Sequence, residues 1–145
     1  MPFREVIRPP LWLQLFIAFL LASFCFSIWA AFDLTATLWS AAISLLIFLY
    51  LNLRSPMVIT VDGELKVERA HLEKRYIKSV DVLDEKAMQR LRTRDADPAA
   101  FLALRFWLSR GVKITLDDAR DRTPYWLISC KNGEKLKKAV DALKD

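Results

Sequence analysis

The sequence predicts a two-helix transmembrane hairpin followed by a small α+β domain, and three observations carry that class. Between Pro10 and Arg54 the only charged side chain is Asp33, which falls near the middle of the stretch. It divides two apolar runs, Leu11–Phe32 and Ala36–Leu53. The first reaches, and the second approaches, the roughly 20 residues a helix needs to cross about 30 Å of hydrocarbon. After Leu53 the composition inverts: 20 of the 22 Lys and Arg and 15 of the 17 Asp and Glu lie there. Short alternating segments and one amphipathic helical stretch fill this second part. The expected division is a hairpin over residues 1–54 and a folded domain over residues 55–145, the latter long enough for a small core.

The hairpin comes first in the chain. Arg4 and Arg8 give it a basic start, as in a signal peptide, but the first apolar run exceeds a signal core and a second run follows closely, so a retained span is expected. Arg4, Arg8 and Arg54 flank the spans, whereas the Asp33–Thr35 loop has no basic residue. Positive flanks stay inside, so both termini are expected on the cytoplasmic side of a bacterial plasma membrane. Trp12, Trp29, Trp39 and Tyr50 lie toward the span ends, where amphipathic rings favour the interface. Each span carries small residues at four-residue spacing: Ser23, Ser27 and Ala31 in one, Ala36, Ser40 and Ser44 in the other. Such rows let helix backbones approach closely in lipid. Packing within the hairpin is the simplest use, with a homodimer as the alternative. The spans hold no Lys, Arg, Glu or His, the groups from which ion and proton pathways are built. The hairpin therefore reads as an anchor.

Ser55-Pro56 ends the second helix, because proline lacks an amide proton and restricts the residue before it. Met57–Val61 is β-branched, Asp62-Gly63 is a hairpin signal, and Glu64–Arg69 alternates. Ala70-His71 is expected to turn, and Leu72–Leu83 to be extended with Tyr76, Val80 and Val82 on one face. Asp84 is placed to cap a helix over Glu85–Leu91. Arg92–Ala99 reads as a polar loop, Phe101–Leu108 as a strand, and Val112–Asp117 as a half-buried strand. Asp118–Thr123 is a charged turn and Tyr125–Lys131 another strand. In Gly133–Lys144, Leu136, Ala139, Val140 and Leu143 form one apolar helical stripe. Strands closed by a terminal helix give an α+β domain with a mostly antiparallel sheet.

This order resembles a bacterial pleckstrin-homology-like (PH-like) domain, a small bent sheet capped by a C-terminal helix. The whole chain also resembles an uncharacterised family of small two-span actinobacterial membrane proteins, known only as a domain of unknown function. The resemblance rests on Arg8–Pro10, the two spans, Val61–Leu65, Asp95–Pro98 with Phe101, and Thr123–Leu127. It implies a membrane location and the PH-like fold, and no catalytic residues carry over from it.

Chemistry is sparse. Cys25 and Cys130 are expected far apart and reduced, as befits a cytoplasm-facing domain. His71 is the only histidine, so a zinc site lacks ligands. No Gly-x-Ser-x-Gly frames a serine, and three glycines form no phosphate-cradling array. Asp95 with Asp97, and Asp117 with Asp118, fall in polar turns as solvated or capping groups. The net charge of +5 is spread among mixed signs rather than clustered in a stripe, which argues against nucleic acid. No metal or cofactor is expected. Two groups remain. Trp107, Tyr125 and Trp126 are candidate anchors for a protein partner, although neighbouring strand residues such as Tyr125 and Trp126 must face opposite ways. Lys66, Arg69, Lys74, Arg75 and Lys78 could face an anionic leaflet. The expectation is a non-enzymatic, membrane-anchored PH-like module that binds a protein partner. Anionic-lipid sensing and a membrane-associated enzyme are the alternatives.

Overall fold

In the computed structural model, which describes residues 2–145, the first element is a strand rather than a membrane helix. Strand β1 (Phe3–Ile7) precedes α1 (Leu11–Ala31) and α2 (Leu34–Arg54). There follow β2 (Met57–Asp62), β3 (Glu64–Val67), β4 (Ala70–Glu73), a 3-10 turn (Lys74–Tyr76) and β5 (Ile77–Leu83). The chain closes with α3 (Glu85–Arg92), β6 (Phe101–Ala103), β7 (Gly111–Leu116), β8 (Tyr125–Ser129) and α4 (Gly133–Lys144). It forms two units: Arg8–Pro56, and a β unit that joins the segment through Ile7 to Met57–Asp145.

The helical unit matches the expected hairpin closely. Each helix has 21 residues, so each is about 31 Å long at 1.5 Å per residue. Both are long and apolar enough to cross a membrane. The turn is shorter than expected because Asp33 caps α2 directly, its carboxylate accepting from the Ala36 amide at 2.9 Å. One carboxylate thus satisfies an otherwise orphaned amide and ends the first apolar run.

The expected domain boundary shifts in the β unit. Strand β1 pairs antiparallel with β2, from Phe3 opposite Val61 to Ile7 opposite Met57. Residues 3–7 therefore belong to the β unit, and the hairpin is an insertion between two neighbouring strands. The first sheet runs in the order β1-β2-β3-β4, the second β5-β7-β8-β6. Ladders are antiparallel except β6–β8, which is parallel. The domain is α+β, as expected.

Local differences have local causes. Gly63 turns β2 into β3 at φ 71°, a conformation that costs glycine little. The next turn falls at Glu68-Arg69, not Ala70-His71: Val67 pairs with Ala70 and Lys66 with His71, and Glu68 adopts φ 57°. Leu72–Leu83 is not one extended run, because the 3-10 turn carries the chain from the first sheet to the second. A bulge between Ile77 and Ser79 puts Ile77 and Val80 both in the core, and Val82, which keeps the parity of Val80, is exposed near the end of the strand. Beyond Ala103 the expected strand stops: the Arg105 amide leaves the ladder and donates to Ser129 Oγ at 3.1 Å.

The main core lies between the sheets under α4. Ile7, Ile59, Leu65, Val112, Ile114 and Ile128 meet there with Leu136 and Val140 of the terminal helix, all fully buried. A second, smaller cluster on the other face of the second sheet joins Met88 of α3 to Tyr125 and Leu127. At Gly111 the Met88 side chain of α3 packs directly on the sheet backbone. A β-carbon there would overlap the Ile128 carbonyl oxygen and the Met88 Cε methyl.

Candidate functional site

The aromatic candidates are the first to be resolved. Strand β8 is internal to its sheet and covered on both faces, so all five of its residues are buried. Trp126 faces the main core, its ring 4.4 Å from that of Phe101, and Tyr125 faces the cluster under α3. The Tyr125 hydroxyl accepts from the Asp97 amide at 3.3 Å, and Lys113 Nζ lies 4.7 Å from its ring centre. Adjacent residues do point opposite ways, but each direction leads into a core. Neither ring is presented to a partner groove, which corrects their reading as docking anchors.

Trp107 is half-buried against the main core. Its indole Nε1 is buried without a hydrogen-bond partner among the described residues. Phe106 stacks on it edge-to-face at 5.0 Å and is 69% exposed. Phe106, with half-exposed Leu102 on β6, is the apolar surface that sequence reasoning missed. The expected strand over Phe101–Leu108 hid it, because strand alternation gave no reason for Phe106 to project from a turn.

Beneath this turn lies a buried polar cluster. Arg92, at the end of α3, donates from Nη2 to the Leu108 carbonyl at 2.8 Å and to Ser129 Oγ at 3.0 Å. Ser129 is fully buried and also accepts from the Arg105 amide. Burial lowers the Arg92 pKa from its ordinary value, yet a guanidinium stays charged in proteins. Arg105 extends outward to an ion pair with Glu68. The cluster pins the Leu104–Leu108 turn.

The basic candidates are dispersed. Lys66 lies on β3 and pairs with Glu64 at 3.0 Å. Arg75 pairs with Glu73 at 2.8 Å and lies over the Tyr76 ring. Arg69 lies in a turn, Lys74 in the 3-10 turn, and Lys78 on β5 in the second sheet. All five side chains are exposed. His71 is exposed on β4, opposite Lys66. Among the described residues no group of His, Cys, Asp and Glu could hold a metal ion.

Cys130 and Glu5 meet at the end of β8. Glu5 is buried, with Oε1 accepting from the Lys131 amide at 2.7 Å. Burial, and then the Glu5 charge, push the Cys130 thiol up to about 12. It is an inert core thiol rather than a nucleophile. Cys130, Lys131, Asn132 and Gly133 line a cleft of about 620 Å³ that Arg110 and Lys135 also border.

In the hairpin the two small-residue rows part company. Ser40 and Ser44 are buried against α1, and Cys25 Sγ lies 3.5 Å from Ser44 Oγ. Ala36 is half-buried. Ser23, Ser27 and Ala31 are exposed instead, and both serines bond back to carbonyls one turn earlier, at Phe19 and Ser23. The expected face of α1 is corrected: Ala18, Leu21 and Cys25 face α2.

Residues 2–140 match the family described as a protein of unknown function, DUF3093. The chain belongs to that family. Comparisons with curated proteins and with solved structures found no match.

Proposed function

We propose that this DUF3093 protein is an integral membrane protein whose hairpin anchors a PH-like binding module at the cytoplasmic face. The observation that carries the reading is the β1–β2 pairing. It makes the two ends of the hairpin lead into neighbouring strands of one sheet, which is compatible with two spans and with both ends on the same side. The helices support it: α1 has no buried residue and α2 only Ser40 and Ser44, whereas a core helix of a soluble protein would be mostly covered. Arg4, Arg8 and Arg54 near the hairpin ends favour the cytoplasmic side.

The module acts by binding a protein rather than by catalysis. Two sheets with a terminal helix are compatible with a PH-like architecture, and Phe106 with Leu102 offers apolar surface at the outer edge of the second sheet. Exposed aromatic side chains of this kind are favoured at protein interfaces. The test is co-purification of the full chain from gently solubilised membranes. A stoichiometric partner should be recovered with the native protein and lost with Phe106→Ser. Recovery in the soluble fraction refutes the anchor, and a partner retained by Phe106→Ser refutes the surface.

A further inference from the structure

At the open end of the hairpin, the start of α1 and the end of α2 enclose a crevice of about 410 Å³ lined by Arg8, Pro9, Gln14, Asn52, Leu53 and Pro56. A small recess of about 30 Å³ adjoins it through Pro9, Gln14 and Asn52, with Leu13, Ile17 and Leu51 as apolar walls. The mouth is therefore polar and the recess apolar. Gln14 Nε2 donates to the Pro9 carbonyl at 3.1 Å, and Asn52 Nδ2 to the Phe48 carbonyl at 2.9 Å. Each amide nitrogen keeps a second hydrogen. Arg8 supplies the charge, and between Arg8 and Pro56 the only acidic side chain is Asp33, at the opposite end of the hairpin.

Depth decides what could occupy such a site. Gln14 lies three residues into α1 and Asn52 two residues before the end of α2, so both fall within about 5 Å of the helix ends. Helices about 31 Å long just span about 30 Å of hydrocarbon, so these amides lie about 3–5 Å inside its edge, within side-chain reach of the lipid headgroups. An arginine fork matches phosphate oxygens, and basic pockets between helices at this level accept lipid headgroups. We propose that the Arg8–Gln14–Asn52 crevice binds the phosphate of an anionic phospholipid, with the start of its glycerol and acyl portion against the Leu13–Ile17–Leu51 recess. The proposal rests on the membrane reading above. It differs from lipid sensing by the β unit because it places the contact in the hairpin.

The test is native mass spectrometry of the full chain in detergent, titrated with phosphatidylglycerol or with phosphatidylcholine. Arg8→Ala should weaken phosphatidylglycerol retention by about fivefold, the effect of one basic group at an anionic surface. Arg54→Ala removes the same charge from outside the crevice and should have a smaller effect. Gln14→Leu with Asn52→Leu keeps every charge and should weaken phosphatidylglycerol retention at least about fivefold, because the phosphate loses two donors. Equal losses for Arg8→Ala and Arg54→Ala would mean diffuse attraction and overturn the site. Displacement of phosphatidylglycerol by millimolar inorganic phosphate would mean a soluble anion and overturn the lipid. If Arg8→Ala fails to insert, the doubly substituted amide variant decides: unchanged phosphatidylglycerol retention overturns the proposal. Carbonate extraction of the native chain reads membrane integration separately, so failure of the anchor and failure of the site are distinguishable.

Discussion

Strand β1 should be indispensable to the β unit, and the hairpin dispensable. Ile7 lies directly opposite Met57, so residues 8–56 can be replaced by an Asn-Gly turn that closes β1 and β2 into an ordinary hairpin. The comparison chain is Met57–Asp145 alone. It loses Ile7, which is fully buried, and the Glu5 carboxylate that accepts from the Lys131 amide. Burying an isoleucine is worth about 2 kcal/mol and a hydrogen bond to a charged group about 2 kcal/mol, so about 4 kcal/mol is lost before the ladder bonds are counted. That is a large part of the 5–15 kcal/mol typical of a domain, and β2 becomes an unpaired edge. Urea unfolding followed by tryptophan fluorescence checks this, since the spliced chain retains only Trp107 and Trp126. The spliced chain should unfold cooperatively, while Met57–Asp145 should be unfolded or aggregated at 25 °C. Equal midpoints for the two chains would refute the reasoning.

Three further outcomes can be checked on the spliced chain. Gly111→Ala should destabilise by at least about 2 kcal/mol in urea, because the new methyl meets a backbone carbonyl that cannot move aside as a side chain would. Ser129→Ala should cost about 1–3 kcal/mol, since Arg92 and the Arg105 amide lose a buried acceptor. Cys130 should resist maleimide at pH 8 while the domain is folded and react at once in urea. With its pKa near 12 the native group is a thiol at that pH, and unfolding lowers the pKa and releases thiolate.

Much of this architecture could be read residue by residue. The spans follow from apolar length, α3 from a capping aspartate, and α4 from a stripe of four apolar side chains, all local signals. Strand β1 left no such signal. It is five residues long, and its partner lies some 50 residues later, beyond the whole hairpin. The 3-10 turn at Lys74–Tyr76 was equally hidden, since Lys-Arg-Tyr suits an extended strand as well as a turn between sheets.

The same division holds for the candidate sites. Arg8, Gln14 and Asn52 sit up to 44 positions apart, and only the antiparallel packing of α1 on α2 puts them around one crevice. Composition and periodicity alone determined the nearly charge-free hairpin, the α+β domain after it and the helix that closes the chain, because each depends on residues within a turn or two of one another. The tertiary structure decided which strand flanks the hairpin, why Tyr125 and Trp126 are both covered, and which face of α1 meets α2. Those outcomes depend on what lies across each surface, and hydrophobicity along the chain records how much must be covered without recording by what.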